Sequence, residues 1–217
     1  MESLKLYDYA ASGNCYKVRL LLAQLGRPYE RISIYIFAGD TLTDQYRLKN
    51  PAGATPVLEE GDGRVLPESN AILLYLSTGT RFLPDDPFDL AQVVRWLIFE
   101  QTDVMMTMGG LRFRLLTGRL TADSPDAIRR REGAEAALEF LDEHLRRDSF
   151  LAGGRYTVAD IATYAYTHVA PEAGLSLGKY PAVQAWLSRV EEQPGFMNDL
   201  EPYPENARPG AGTSTYD

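Results

Sequence analysis

The sequence has few of the residues that form metal centres and disulfides. It contains one cysteine, Cys15, and two histidines, His144 and His168. A single cysteine excludes an internal disulfide and any metal site built from several cysteines. Two histidines leave little material for a histidine-based metal centre or catalytic triad. We therefore expect no metal cofactor.

Long apolar runs and an excess of positive charge are also missing. The longest apolar runs, such as residues 71–76, are far too short to span a bilayer, and residues 1–5 lack the apolar stretch of a signal peptide. With 22 Lys and Arg against 30 Asp and Glu, the formal charge of −8 argues against nucleic acid or an anionic membrane as the main partner. We expect a cytoplasmic protein with neither partner.

The residues that are present predict two parts with different patterns. The 217 residues, 45% of them apolar, are enough for one or two domains with a buried core. A short opening strand, a helix from Cys15 to Leu25 with apolar residues three and four apart, and a strand over residues 29–35 form a βαβ pattern. Gly26 is expected to end the helix. Beyond residue 88 no strand pattern appears, and the apolar spacing is helical as far as about residue 197.

A hairpin followed by a helix start lies within residues 57–76. Two apolar pairs flank the Gly- and Asp-rich turn 60–63, which predicts two short antiparallel strands. Glu68 and Ser69 come directly before a segment with helical apolar spacing. A helix start carries unpaired N–H groups and a partial positive charge that attract a carboxylate, while the Glu68 carboxylate can hold an ammonium. The pair suits an α-amino acid head group; alternatively, Glu68 and Ser69 only cap the helix.

Two stretches carry a resemblance to a known family. The sequence reads Asn50-Pro51-x-Gly53-x-x-Pro56 and then Asp62-Gly63-x-x-Leu66-x-Glu68-Ser69-x-Ala71-Ile72-x-x-Tyr75-Leu76. Together these stretches resemble the glutathione-binding signature of the cytosolic glutathione transferases. The order of predicted elements is similar to that family as far as about Met197. The resemblance implies an α/β, thioredoxin-like first domain and an all-α second domain.

We accordingly divide the chain into four parts. Residues 1–78 are expected to form the thioredoxin-like, glutathione-binding domain, and the proline- and acid-containing residues 79–88 the linker. Residues 89–197 are expected to form the all-helical domain, in which residues 157–160 have the pattern of a structural capping box. From residue 198 to residue 217, prolines, small residues and acids predict an extended or mobile tail.

The resemblance also implies how most of glutathione is held. The bond before Pro56 would be cis, and the Thr55 backbone would pair antiparallel with the cysteinyl unit of the tripeptide, a form of strand addition. Glu68 and Ser69 would hold the γ-glutamyl head. These expectations agree with the amino-acid head group that the helix start itself suggests.

The glycine end of glutathione has no obvious partner. At positions 54 and 55 the family often has a polar or basic residue followed by valine, whereas this chain has Ala54 and Thr55. Ala54 cannot bind a carboxylate through its side chain, so we assign the glycine carboxylate to Lys49, just ahead of the motif. Gln101, in the second domain, is expected to reach the γ-glutamyl end.

The thiol of glutathione must be activated before it can attack. Its free pKa is about 8.5, and lowering it by about 2 units requires about 2.7 kcal/mol in favour of the thiolate. One or two hydrogen bonds at a helix start supply energy of that order. Ser12 and Asn14 lie at the first helix start, in a segment that resembles the serine-type transferases. We expect the Ser12 hydroxyl, helped by Asn14, to donate to the sulfur; otherwise Ser12 is only a cap.

Three other residues are alternatives to Ser12 at the thiol. Cys15 occupies the position of a cysteine that forms a mixed disulfide with glutathione in the beta class, but it fits the apolar stripe of the helix, and buried thiols are usually inert. We rank it below Ser12. Tyr7 and Tyr9 carry hydroxyls, as in the tyrosine-type classes, but one belongs to the predicted strand and the other falls before the turn. Both are weaker candidates than Ser12.

The pocket for the second substrate is expected at apolar residues from both domains. These are Ala11, Met105, Met108 and Phe113. Methionines adapt to varied apolar partners, which suits a permissive pocket for hydrophobic electrophiles, although the same residues also fit a plain core. No residue in the sequence identifies the electrophile.

The sequence therefore predicts a homodimeric glutathione transferase that acts in detoxification. Glutathione would be the co-substrate, and its thiolate would be conjugated to a small hydrophobic electrophile. Two alternatives keep the fold and change the activity. The first is a glutathione-dependent disulfide or peroxide reductase, and the second is a non-catalytic interaction protein of the same fold.

Overall fold

The structure is a computed structural model that describes residues 4–216. The expectations for residues 1–3 and for residue 217 lie outside this range. The chain forms two compact units. The described residues up to Leu76, together with those from Met197 onward, make the first unit, and Ser77–Phe196 make the second. The C-terminal segment is thus counted with the first unit rather than as a separate part.

The first unit is built on one small sheet. Its strands are β1 (Lys5–Asp8), β2 (Glu30–Ser33), β3 (Val57–Glu59) and β4 (Val65–Pro67). The strand order is β2-β1-β3-β4, in which β1 pairs parallel with β2 and antiparallel with β3, and β3 pairs antiparallel with β4. The parallel pair comes from the predicted βαβ unit and the antiparallel pair from the predicted hairpin. This arrangement confirms the thioredoxin-like fold.

Three α-helices accompany the sheet. They are α1 (Gly13–Leu25), α2 (Asp44–Arg47) and α3 (Ser69–Ser77), with a 3-10 turn at Asp40–Leu42. Gly26 ends α1 with φ 59°, a left-handed conformation that glycine adopts without steric cost, as predicted from the sequence. The apolar stripe of α1 is buried, and Cys15, Val18 and Leu22 are each 0% exposed.

The second unit is all-helical, as expected. Its helices are α4 (Pro87–Phe99), α5 (Gly110–Leu116), α6 (Pro125–Leu145), α7 (Val158–Thr167) and α8 (Pro181–Glu191), with a π-helical segment at Glu100–Gly109 between α4 and α5. Short 3-10 turns follow at Ala170–Ala173 and Leu177–Lys179. None of the helices within residues 4–216 is both long and apolar enough to cross a membrane.

In the second unit, one helix start agrees with the sequence-based prediction and another lies inside the predicted linker. The predicted capping box is present, since Thr157 accepts from the first turn of α7 while the Asp160 carboxylate accepts from the Thr157 N–H at 2.9 Å. In contrast, α4 begins at Pro87, inside the segment predicted as linker. Asp86 caps it by accepting from two N–H groups, and proline suits the first helical position.

The C-terminal segment, residues 197–216, has little regular structure but is bonded to the first unit. It contains one 3-10 turn, Glu205–Ala207. The Asp199 carboxylate accepts from Arg19 Nε at 2.9 Å, and the Thr213 N–H donates to the Phe37 carbonyl at 2.9 Å. The sequence predicts an extended or mobile tail over residues 198–217. The composition could not predict these bonds, because they depend on partners far away in the sequence.

Candidate functional site

The loop from β1 to α1 carries the residues expected at the thiol. Ser12 is the N-cap of α1, and its Oγ accepts from the Cys15 N–H at 3.3 Å. The Ser12 side chain is half-buried. Ser12 therefore caps the helix, as the alternative interpretation supposed. A hydroxyl that accepts a hydrogen bond still has its own hydrogen to donate, so the cap and a role at the thiol are compatible.

Glu68 has the one positive φ angle among the non-glycine residues that the structure describes. Its φ is 73°, and it links β4 to α3. A left-handed conformation at such a residue costs about 1–3 kcal/mol, and such costs concentrate at functional sites. The Glu68 carbonyl accepts the first helical bond of α3, from the Ile72 N–H at 2.9 Å. The backbone N–H groups of residues 69–71, which come before the Ile72 N–H in the chain, therefore form the start of α3. Glu68, which is exposed, comes directly before them.

The starts of α1 and α3 lie against each other. Ser69, which is 4% exposed, donates through Oγ to Asn14 Oδ1 at 3.3 Å. One helical turn along α1, Lys17 donates through Nζ to Asn70 Oδ1 at 3.1 Å, and the Lys17 side chain is 0% exposed. The predicted thiol residues and head-group residues are thus joined side by side. The contact between Lys17 and Asn70 is not predicted from the sequence, because a lysine within an amphipathic pattern is expected to face solvent.

The two helix starts themselves favour anions. Neither α1 nor α3 has an acidic residue in its first turn. The partial positive charge at each helix start is therefore not offset by a nearby carboxylate within the helix. Two anionic groups, a thiolate and a carboxylate, match two adjacent helix starts.

The segment before β3 is fixed by hydrogen bonds to its backbone. The Thr55–Pro56 peptide bond is cis, as the resemblance implied. Just before it, the Ala54 carbonyl accepts from Tyr46 Oη and from Asn50 Nδ2, both at 2.8 Å. Thr55 precedes the residues of β3 that pair with β1. The strand addition expected at the Thr55 backbone stays a prediction.

Lys49 is engaged elsewhere in the first unit. Its Nζ lies 2.5 Å from Glu59 Oε2 and 4.9 Å from the centre of the Tyr7 ring. The hydrogen bond to Glu59 raises the pKa of Lys49. Tyr7 also donates to Glu59, at 2.8 Å, so its hydroxyl is committed to that carboxylate. The Lys49 ammonium has three N–H donors, so its bond to Glu59 is compatible with the predicted contact to the glycine carboxylate, which stays a prediction.

The residues predicted from the second domain lie in the second unit. Gln101, Met105 and Met108 belong to the π-helical segment, and Phe113 to α5. Gln101 donates through Nε2 to Glu100 Oε2 at 2.8 Å. Met108 is buried, whereas Met105 and Phe113 are half-buried. Ala11 lies in the first unit, and a pocket that combines it with these residues remains a prediction.

Cys15 has the properties of a packing residue. It is 0% exposed, and the Tyr9 N–H donates to its Sγ at 3.3 Å. Burial raises the pKa of the Cys15 thiol to about 11, with the negative charge of Asp8 acting in the same direction. The thiolate is the reactive form of cysteine, so this environment disfavours nucleophilic chemistry at Cys15.

We predict that Cys15 in the folded protein does not react with a thiol reagent at pH 8. With a pKa of about 11, about 0.1% of the thiol is ionised at that pH, and the side chain is also shielded from solvent. The measurement is the absorbance of the thiolate released from an aromatic disulfide reagent, with and without denaturant. One equivalent should appear only after unfolding. Rapid labelling of the native protein would instead restore Cys15 as a candidate for the thiol chemistry.

A buried ion network lies beneath the loop between β1 and α1. Arg19 contacts Asp8 at 2.5 Å and Asp199 at 2.9 Å, and Arg31 contacts the second Asp8 oxygen at 2.6 Å. Arg19 also donates to the Ala10 carbonyl at 3.2 Å. This network joins the end of β1, the loop that precedes Ser12 and the C-terminal segment. No local sequence pattern predicts this network.

Two family models match the chain. The model described as glutathione S-transferase, N-terminal domain, covers residues 6–79, and the one described as glutathione S-transferase, C-terminal domain, covers residues 104–194. The first match contains both helix starts and the cis-proline loop. The second covers most of the helical unit.

Similar proteins include transferases and a translation factor. Glutathione S-transferase 3 of Zea mays is 31% identical, and the match covers 94% of this chain and 96% of that protein. Elongation factor 1-gamma of Artemia salina is 29% identical over 80% of this chain, which spans only 41% of the factor's length.

Solved structures agree with both family models. A glutathione S-transferase from Pseudomonas fluorescens Pf-5 has a TM-score of 0.88 and 42% identity, covering 91% of this chain and 99% of that one. A glutathione transferase family member from the same strain, with two glutathione bound, has a TM-score of 0.82 and 26% identity, covering 93% and 94%. With both domains matched in order, this chain belongs to the glutathione S-transferase family.

Proposed function

We propose that this chain is a glutathione transferase that conjugates the glutathione thiolate to a small hydrophobic electrophile. The contact between Ser69 and Asn14 carries the proposal, because it brings the expected γ-glutamyl site and the expected thiol site to adjacent helix starts. Family membership and a glutathione-bound structural neighbour support the choice of thiol. By analogy with the family, we propose a cytoplasmic homodimer that acts in detoxification.

The roles of the residues follow from their chemistry. Glu68 would hold the ammonium of the γ-glutamyl head, and the backbone N–H groups at the start of α3, that of Ser69 among them, would hold its carboxylate, because the Ser69 hydroxyl donates to Asn14. Thr55 would pair with the cysteinyl backbone through its own N–H and carbonyl. These contacts would fix the cysteinyl side chain near Ser12 and Asn14.

The reaction itself needs a stabilised anion. The thiol proton leaves to solvent, and the Ser12 hydroxyl and the Asn14 amide donate to the resulting sulfur anion. The thiolate then attacks an electrophilic carbon, a carbon–sulfur bond forms, and the leaving group departs with the bonding electron pair. No protein-based covalent intermediate is required. The high pKa and burial of Cys15 support this scheme over one in which Cys15 exchanges disulfides.

The head-group assignment is tested with Glu68→Gln, compared with the unmodified chain. Glutathione should raise the melting temperature of the unmodified chain, since a ligand bound only by the native state stabilises it. Glu68→Gln keeps the size of the side chain and removes its charge. We expect about a tenfold weaker affinity for glutathione, because a charge-assisted hydrogen bond to the ammonium is lost.

The control for this experiment is Glu132→Gln, the same change at an exposed position on α6. It should bind glutathione like the unmodified chain. An equal affinity in Glu68→Gln and Glu132→Gln would contradict the role of Glu68. The absence of any thermal shift in the unmodified chain would favour the non-catalytic alternative, which the similarity to elongation factor 1-gamma motivates.

Comparing two reactions distinguishes the proposed transferase activity from the reductase alternative. Conjugation of an aryl halide and reduction of a mixed disulfide both consume glutathione, but the first forms a new carbon–sulfur bond and releases halide, whereas the second forms a new disulfide and releases a thiol. We expect measurable turnover with the aryl halide in the unmodified chain. Turnover with the disulfide alone would assign the reductase function to the same site.

A further inference from the structure

The C-terminal segment lies along the loop that leads to α2. The Thr213 N–H donates to the Phe37 carbonyl at 2.9 Å, and Thr213 forms a parallel bridge with Ala38. The Tyr216 ring lies 6.2 Å from the Phe37 ring. Residue 213 therefore pairs with this loop through a single bridge, and residues 214–216 form a bend and a turn beside it.

The fit of this segment depends on a glycine. A Cβ atom on Gly212 would lie 2.5 Å from the carbonyl oxygens of Phe37 and Asn206, a distance that no side chain tolerates. Upstream, the segment is held by the ion pair between Asp199 and Arg19 at 2.9 Å. The close approach at Gly212 defines the place of residues 213–216 on the first unit. Farther upstream, the buried Arg19 holds the same C-terminal segment through Asp199.

That place adjoins the expected position of the glycyl residue of glutathione. A Cβ atom on Gly53 would lie 3.9 Å from Thr215 Cγ2, so Thr215 faces the backbone two residues before Thr55. In an antiparallel pairing, the residue after one partner lies opposite the residue before the other. If the cysteinyl unit pairs with Thr55, the glycyl unit therefore lies opposite Ala54, between Thr55 and the Gly53 backbone that Thr215 approaches.

The glycine carboxylate needs hydrogen-bond donors there. Ala54 has none in its side chain, and the cationic residues within positions 36–56 are Arg47 and Lys49. Lys49 is paired with Glu59 at 2.5 Å, and Arg47 is an exposed residue of α2. Thr213 and Thr215 are both exposed, and their side chains lie beside Gly39 and Gly53, respectively. A hydroxyl is a good donor to a carboxylate.

We propose that residues 213–216 form one wall of the glycine subsite, with the Thr213 and Thr215 hydroxyls donating to the glycyl carboxylate. This inference rests on the proposed function, since it concerns the same bound glutathione. It makes the C-terminal segment a determinant of specificity for the tripeptide over its precursor-like dipeptide, γ-glutamylcysteine. The dipeptide has the same head group and thiol but lacks the glycyl residue.

The test compares the affinities of glutathione and γ-glutamylcysteine in three forms of the chain. These are the unmodified chain, the double variant Thr213→Ala/Thr215→Ala and a chain that ends at Gly210. We expect glutathione to bind the double variant about tenfold more weakly and γ-glutamylcysteine to bind it within about twofold of the unmodified chain. The shortened chain should show the same loss or a larger one. Thr121→Ala, at an exposed position of the second unit, is the matched control.

The outcomes separate this inference from the proposed function. A selective loss of glutathione affinity supports the subsite. An unchanged glutathione affinity in the double variant, or an equal loss for both peptides, overturns it and leaves the proposed function intact. If the unmodified chain binds neither peptide, the proposed function fails as well. Should the shortened chain not fold, as judged by circular dichroism, the double variant decides the question by the same criteria.

Discussion

Ser12→Ala is expected to lower the rate of conjugation at saturating glutathione by about 10- to 100-fold near neutral pH. The substitution removes one donor to the thiolate, and a hydrogen bond to a charged group contributes about 1.5–3 kcal/mol. The thiol pKa of bound glutathione should therefore rise toward its free value of about 8.5. The measurement is the pH dependence of kcat, whose apparent pKa should move upward, so that the variant recovers part of the lost rate at high pH.

Two controls separate this effect from the loss of the helix cap. Removing the Ser12 side chain also removes the acceptor for the Cys15 N–H, at a cost of about 1 kcal/mol of stability. Ser12→Thr keeps both the hydroxyl and the cap, and should retain most of the rate. Cys15→Ala changes the neighbouring packing but not the proposed donor, and should leave the pH profile in place. If the profile of Ser12→Ala matches that of the unmodified chain, Ser12 is only a cap.

Asn14→Ala completes this comparison. Asn14 is held by Ser69 in the structure, so its loss affects the thiol site and the head-group site together. We expect a rise in KM for glutathione beside a smaller change in kcat. A shift of the pH profile in Asn14→Ala and none in Ser12→Ala would exchange the two roles. The serine-type assignment therefore depends on a kinetic signature and not on position alone.

The local features that the sequence predicts correctly are those encoded by neighbouring residues. The turn at residues 60–63 forces a hairpin, Gly26 permits the left-handed end of α1, and the pattern at residues 157–160 makes a capping box. In each case, the physical requirement and the residue that meets it lie within a few positions. The helix start at Ser69 was found in the same way, because its signal is the onset of apolar spacing.

The features that escaped prediction depend on distant partners. A lysine at position 17 and an arginine at position 19 look solvent-facing in sequence, yet both side chains are 0% exposed. Their partners, Asn70 and Asp199, are 53 and 180 residues away. The place of the C-terminal segment follows from the same long-range bonds. The charge of Glu68 makes it a candidate site residue in the sequence, but the residue type does not indicate its left-handed backbone conformation.

Arg19→Leu is expected to destabilise the protein by about 3–5 kcal/mol. Asp8 is 1% exposed and Arg19 0% exposed, so the substitution leaves a buried carboxylate with one of its two arginine partners gone. Breaking a buried ion pair from one side costs about this much, and the Asp8 carboxylate then keeps only Arg31, whose side chain is 33% exposed. For a chain of this size, the melting temperature should fall by about 10 °C, as measured by calorimetry or circular dichroism.

The double variant Asp8→Leu/Arg19→Leu tests the origin of that loss. If the cost comes from the unpaired carboxylate, removing both charges should recover most of the stability, since replacing a whole buried pair with apolar residues is often nearly neutral. Asp199→Asn should cost much less than Arg19→Leu, because the Asp199 side chain is 35% exposed and water can replace its partner. A melting temperature of Arg19→Leu within about 2 °C of the unmodified chain would show that Arg31 alone satisfies Asp8.

Arg19 also connects stability to the site. Its guanidinium binds the Ala10 carbonyl, two residues before Ser12, and the Asp199 carboxylate, which anchors the segment proposed to form the glycine subsite. In a destabilised but folded Arg19→Leu variant, glutathione affinity should therefore fall more than γ-glutamylcysteine affinity. An equal fall for both peptides would mean that Arg19 supports the loop before Ser12 without positioning the C-terminal segment. The same residue thus allows the fold and the proposed subsite to be tested independently, one by melting temperature and the other by the ratio of two affinities.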